Sequence, residues 1–132
     1  MTDRRFPPVT VPADFEVAFV VPGEAVPKQS FRFSRGGSYQ KPQVVAWEQV
    51  VRLAGMSARP RPSQAMREGK WGVVLTFYRK SKRACDVDNL SKAVLDALKG
   101  VYWNDDRQIV DLHVGKSQVE KDPCVKIDVF PL

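Results

Sequence analysis

The sequence predicts an α+β fold in a single domain, one mixed β-sheet of about four to five strands packed against two main helices. Three observations carry that reading. Apolar residues alternate with period two in four separate stretches and recur at helical spacing in two others. These stretches follow one another as β-α-β-α-β-β, the interleaving expected when helices pack on a sheet. At 132 residues and 43% hydrophobic, the chain can bury one core of its own, so one domain is the default.

The elements follow in order. Residues 1–13 are rich in proline and poor in apolar anchors, and are expected to form a flexible arm ahead of a domain spanning 14–132. Phe15, Val17, Phe19 and Val21 alternate with Glu16, Ala18 and Val20 as in a strand with one buried face, and Pro22-Gly23 ends it. Segment 27–41 interleaves Lys28, Arg32, Arg35 and Lys41 with Phe31, Phe33 and Tyr39 around Gly36-Gly37, which reads as a basic hairpin or mobile loop. From about Gln43 to Ser57, Val44, Trp47, Val51 and Ala54 recur at helical spacing, with Val50 and Leu53 widening the stripe. Arg59-Pro60-Arg61-Pro62 breaks that helix, and the polar residues up to Lys70 read as a connection. Trp71 to Tyr78 predicts a strand with apolar residues on both faces and hence a central place in the sheet. Asp88 and Asn89 are good helix caps, Leu90, Val94 and Leu98 mark a stripe about three turns long, and Gly100 supplies the stop. Val110, Leu112 and Val114, then Val125, Ile127 and Val129, read as two closing strands.

Composition narrows the function. The chain carries 21 Lys+Arg against 15 Asp+Glu, a net charge of +6, which suits a polyanionic partner. No apolar run approaches the ~18 residues of a membrane span, and the first residues lack a signal peptide's apolar stretch, so the expected location is cytoplasmic with no membrane partner. Cys85 and Cys124 have no CxxC spacing and His113 is the sole histidine, so free thiols are expected and a zinc site is not.

Within this basic chain lies an acidic island. From Ala84 to Asp111 there are six acids (Asp86, Asp88, Asp96, Asp105, Asp106, Asp111) and three bases (Lys92, Lys99, Arg107), a balance of −3 that leaves +9 for the remainder. Carboxylates gathered in this way repel unless a cation or protons neutralise them. Asp86 and Asp88 project to the same side if their segment is extended, and Asp105 or Asp106 can return to them only if the chain doubles back at Gly100. Hard oxygen ligands without His or Cys select Mg²⁺ or Mn²⁺. A water on such an ion is a nucleophile for phosphodiester hydrolysis, and Lys92, four residues after Asp88, shares its helical face and suits the phosphate. The run Arg79-Lys80-Ser81-Lys82-Arg83 stands immediately before the acids. Taken singly, each feature also has a structural reading: Asp88 as a helix cap, Asp105-Asp106 as a polar turn, Lys92 and Asp96 as a solvated helix pair, Tyr102-Trp103 as the edge of the core.

The string Cys85-Asp86-Val87-Asp88-Asn89-Leu90-Ser91-Lys92-Ala93-Val94-Leu95-Asp96-Ala97-Leu98, followed by Trp103-Asn104-Asp105-Asp106-Arg107-Gln108-Ile109-Val110-Asp111, resembles the RusA family of Holliday junction resolvases. Pro27-Lys28-Gln29 with Arg32 and Phe33 looks like that family's basic N-terminal segment, with Ser30 and Phe31 departing from it. The resemblance implies a RusA-like fold in which Asp86, Asp88 and Asp106 are catalytic metal ligands, Lys92 is an essential lysine and Asp105 a supporting neighbour. It further implies a homodimeric, magnesium-dependent endonuclease of bacterial, phage or prophage setting that nicks opposing strands of a four-way DNA junction. Lys28, Arg32, Arg35, Arg79, Lys80, Lys82, Arg83 and Lys116 are the expected DNA contacts. Three rivals remain: a less selective flap or branched-DNA nuclease, a catalytically silent DNA-binding protein of the same fold, and an aspartate-nucleophile phosphatase. The last wants its D-x-D directly at the end of a buried strand, whereas here the basic run intervenes.

Overall fold

The computed structural model describes residues 15–28, 32–34, 37–39 and 41–132, with the side chains of 32–34 and 37–39 excepted. Residues 1–13, Phe31 and Arg35 lie outside the described residues, as does the side chain of Arg32. In order, the elements are β1 (Val17–Pro22), β2 (Arg32–Ser34), β3 (Gly37–Tyr39), α1 (Pro42–Ser57), α2 (Gln64–Glu68), β4 (Trp71–Arg79), α3 (Val87–Leu98), β5 (Ile109–Gln118) and β6 (Cys124–Pro131), with a 3-10 turn at Asp106–Gln108. The four long strands form one sheet in the order β1-β6-β4-β5. Strand β6 runs antiparallel to both neighbours, while β4 and β5 are parallel, so the sheet is mixed as the element order predicts. A separate antiparallel pair, β2 with β3, occupies the basic segment.

Register follows from burial. Side chains opposite one another in a ladder share a face, and the fully buried pairs Val17↔Val129, Val21↔Val125 and Leu75↔Ile127 put one apolar face of three strands against the helices. On the other face, Val74, Thr76 and Tyr78 are half-buried and Val20 is 55% exposed, so only the helix side is a true core. From α1 that core receives Val44, Trp47 and Val51, and from α3 Leu90, Ala93, Val94, Ala97 and Leu98.

Three details differ from the sequence reading. Val50 and Leu53 do not widen the buried stripe of α1; with Val45 and Met56 they point outward at 41–54% exposure, since a helix on a sheet buries only one side. The stretch read as a connection contains α2, whose Ser63 hydroxyl caps the Met66 N–H at 3.2 Å. In β5 a bulge opposite Trp71 and Gly72 skips Val110, and because β5 is an edge strand, Val110 and Leu112 stay 48% and 41% exposed. Among the described residues, no helix is long and apolar enough to cross a membrane.

Beyond α3 the chain reverses tightly. Gly100 takes φ +86°, a left-handed conformation that glycine adopts without strain, and its N–H bonds Trp103 O at 2.6 Å. The turn drives Tyr102 and Trp103 into the core beside Trp71, with ring centroids 5.9 and 6.2 Å from the Trp71 ring, so these aromatics are core and not a base-stacking surface. At the other side α1 crosses closely, because a Cβ on Gly55 would stand 2.5 Å from Leu98 Cδ2. The Tyr102 hydroxyl donates to Gly55 O at 2.9 Å. Burial pushes this phenol up to about 12, with Arg61 and Arg59 pulling weakly the other way. A raised acid keeps its stability below the unfolded pKa near 10 and loses it as pH climbs to the folded value. Tyr102→Phe is therefore expected to cost about 1 kcal/mol at neutral pH through the orphaned carbonyl. The same variant should flatten the alkaline fall in melting temperature between pH 10 and 12, measured by thermal unfolding followed by circular dichroism.

Candidate active site

Strands β4 and β5 with the intervening α3 form a parallel β-α-β unit, and such units gather ligands at the carboxyl ends of their strands. Arg79 closes β4, the turn 80–85 follows, and α3 opens at Val87. The helix thus starts two positions earlier than a cap at Asp88 would give: Asp86 is the N-cap, in extended conformation, and Asp88 lies in the first turn. The two acids are not consecutive side chains of one extended strand. Asp86 occupies a position whose side chain normally accepts a backbone N–H, yet its carboxylate makes no cap bond. Both carboxylates are exposed, as is Lys92. Negative charge in the first turn also favours the helix dipole, which gives Asp88 a structural contribution of its own.

A cleft of about 610 Å³ opens beside the N-terminus of α3, bounded by Asp86, Asn89, Arg79, Arg83, Lys116 and Glu24. Lys82 borders a smaller depression of about 230 Å³ with Arg79, Arg83 and Lys116. Three of the expected DNA contacts, Arg79, Arg83 and Lys116, therefore line the cleft with Asp86, Lys82 borders the smaller depression, and Lys80 is exposed nearby. Lys28 does not join them. Its ammonium is held by Asp96 at 2.6 Å and Glu48 at 3.1 Å, and its backbone N–H bonds Asn89 O at 2.8 Å, which docks the strand-to-helix connection onto α3. Burial alone would lower the Lys28 pKa, but hydrogen bonds and charges from Asp96 and Glu48 outweigh it and hold the ammonium above its ordinary value.

The acidic pair after α3 divides its duties. Asp105 caps the 3-10 turn, accepting from the Arg107 N–H at 2.9 Å, while Gln108 Oε1 accepts from the Asn104 and Asp105 N–H groups at 2.9 and 2.8 Å. Those bonds from the Arg107 backbone and then its guanidinium lower the Asp105 carboxyl below its usual value. Asp106 turns to Asp96. Burial first, then the charge of Asp96 and a hydrogen bond with it, raise the Asp106 pKa, with Lys99 and the Trp103 indole opposing. The indole Nε1 is buried without a hydrogen bond of full geometry, so it acts as a neighbouring dipole.

This arrangement does not bring Asp106 to Asp86 and Asp88. Eight residues of helix separate Asp88 from Asp96, about 12 Å of axial rise, and Asp106 sits beside Asp96. Carboxylates on one magnesium lie within about 4 Å of each other across the ion. Among the described residues, no group of three His, Cys, Asp or Glu side chains is close enough to hold a metal. The sequence reading also missed Glu48, Glu24 and Gln108. Of these, only Gln108 left a signal, the Asp-x-x-Gln spacing of a capping box.

An α+β domain that opens an uncapped helix-start carboxylate onto a basic cleft has the makings of a phosphate-handling protein. The chain belongs to the RusA endodeoxyribonuclease family: the family model described as "Endodeoxyribonuclease RusA" matches residues 22–130. It is similar to proteins named "Crossover junction endodeoxyribonuclease RusA" from Escherichia coli strain K12, Escherichia coli O1:K1 and Shigella sonnei strain Ss046. Each is 40% identical over 53 residues, covering 39% of this chain and 44% of the relative. The match thus spans less than half the length of these relatives.

Proposed function

We propose that this chain is a magnesium-dependent, structure-selective endodeoxyribonuclease that resolves four-way DNA junctions by paired nicks. The observation that carries the reading is the Asp86 carboxylate, uncapped and opening onto the cleft of Arg79, Arg83 and Lys116 in a member of this family. The donor set fits a hard cation: Asp86 and Asp88 are exposed oxygen donors, and magnesium is commonly held by one or two carboxylates together with waters and substrate phosphates. A magnesium ion there would supply an activated water and neutralise charge developing on phosphorus. Asp106 stands apart within one chain, so the metal proposed here rests on Asp86 and Asp88. Lys92 shares the helical face of Asp88 and offers its ammonium to the phosphate being cut. The exposed cations of the adjoining turn, Lys80, Lys82 and Arg83, hold the flanking backbone through charge, with an affinity that falls steeply with salt.

Two equivalent strands call for two equal sites, so the working unit in this reading is a homodimer. The outer face of α1, where Val45, Val50, Leu53 and Met56 are exposed and Arg52 at its edge is turned onto Ala97 O and Lys99 O, supports self-association. The place of action would be the cytoplasm of a bacterium, with or without a phage or prophage origin. The test compares a synthetic four-way junction, a flap and a linear duplex at one salt concentration, with and without magnesium. Magnesium should switch on symmetric nicking of the junction at least tenfold faster than of the other two. Equal cutting of the flap would replace the reading with a less selective branched-DNA nuclease, and binding without cutting would leave a silent DNA-binding protein.

A further inference from the structure

The turn 80–85 has no helix or strand of its own, yet side chains from outside it hold three of its six carbonyls. Gln118 Nε2 donates to Lys80 O at 2.7 Å, Arg79 Nη1 donates to Arg83 O at 2.8 Å, and the Lys116 ammonium donates to Cys85 O. Glu24 completes the set by accepting the Ser81 N–H, and its other oxygen faces Arg79 Nε across 4.0 Å. Arg79 is only 8% exposed, too deep to lie along a DNA backbone. Lys116 and Gln118 both come from β5, so the parallel β4–β5 ladder sets where the turn stands.

We propose that Lys116, together with Arg79 and Gln118, positions the turn that presents Asp86, and that Lys116 is not a DNA contact. The bond to Cys85 O is the last tie before Asp86, one residue away, so the lysine fixes where the Asp86 carboxylate emerges at the cleft. A cationic donor suits this duty because charge-assisted bonds to a carbonyl are stronger than neutral ones and survive at a solvated edge. The proposal rests on the metal-site reading above for its consequence in catalysis, but not for the clamp itself.

The experiment has two readouts on the full chain. Limited trypsin digestion reports the turn directly, because Lys80, Lys82 and Arg83 are exposed cleavage points within it. Lys116→Met and, separately, Gln118→Leu should raise cleavage at these points about tenfold, the scale of one lost hydrogen bond in a local opening equilibrium, and Lys116→Arg should restore protection. In parallel, junction binding without metal is measured against salt. A positioning lysine leaves the slope of log affinity against log salt unchanged, and a phosphate contact lowers it by about one. With magnesium, Lys116→Met should raise the ion concentration for half-maximal nicking about tenfold. Unchanged protection in Lys116→Met, or a reduced salt slope, would overturn the proposal. Raised digestion in a protein that never nicks DNA would uphold the clamp and remove the nuclease reading instead.

Discussion

Asp86→Asn should lower magnesium-dependent junction cleavage by about 10³-fold, the scale seen when a group acting on the transition state is removed. The physical reason is local. Asparagine fits the N-cap position as well as aspartate does, and Asp86 makes no cap bond to lose, so stability should shift by no more than about 0.5 kcal/mol. Binding should move the other way, because one negative charge leaves a cleft rim shared with Arg79, Arg83 and Lys116. Cleavage down and metal-free binding up by a few-fold is the signature expected from gel-shift and nicking assays on one preparation. Asp105→Asn supplies the contrast, since that side chain is engaged in the 3-10 turn, and cleavage should stay within about threefold of the parent. An Asp86→Asn protein that keeps a tenth or more of the activity would remove Asp86 from the site.

Much of the fold was legible because one burial rule generates it. Val17, Val21, Val73, Leu75, Phe77, Val125, Ile127 and Val129 each sit at an alternate position on a strand, and all are fully buried on one side of the sheet. What the sequence hid was which apolar residues would have no partner. Val50 and Leu53 satisfy a helical pattern as well as Val51 does, and only the packing direction of α1 shows that they face outward. The same limit applied to the acids. Asp96 reads as a surface pair with Lys92 at i, i+4, but its partner is Lys28, 68 residues away in sequence, a contact that no local spacing encodes. Asp106 then follows Asp96 because the tight turn at Gly100 returns the chain to the end of α3 where it left, and not to its start. Motif and resemblance pointed to Asp86, which lines a cleft with Arg79, Arg83 and Lys116; the meeting of Asp106 with it was an assumption about a turn.

The Lys28 cluster should be the most sensitive point of the domain outside the aromatic core. Lys28→Met removes the ammonium that bridges Asp96 and Glu48 and leaves two partly buried carboxylates without that partner, with Asp106 beside Asp96. Breaking a buried pair from one side commonly costs 3–5 kcal/mol; the acids here keep 21–25% exposure, so about 2 kcal/mol is expected. For a chain of this length that lowers the melting temperature by about 6–8 °C. The pH dependence has a definite sign. A lysine raised in the folded state contributes fully below its unfolded pKa of about 10.5 and is lost as pH rises through the folded value, so the gap between parent and variant should hold at neutral pH and close in strong alkali. Asp106 has the opposite character, because a carboxyl raised in the folded state costs stability once it ionises. Asp106→Asn should therefore stabilise the metal-free protein at pH 7, by about 0.5 kcal/mol because the group is exposed and screened. In the Lys28→Met background the same change should recover about 1 kcal/mol, since Asp96 then faces Asp106 without its ammonium partner. A double variant no more stable than Lys28→Met alone would show that Asp96 and Asp106 do not repel.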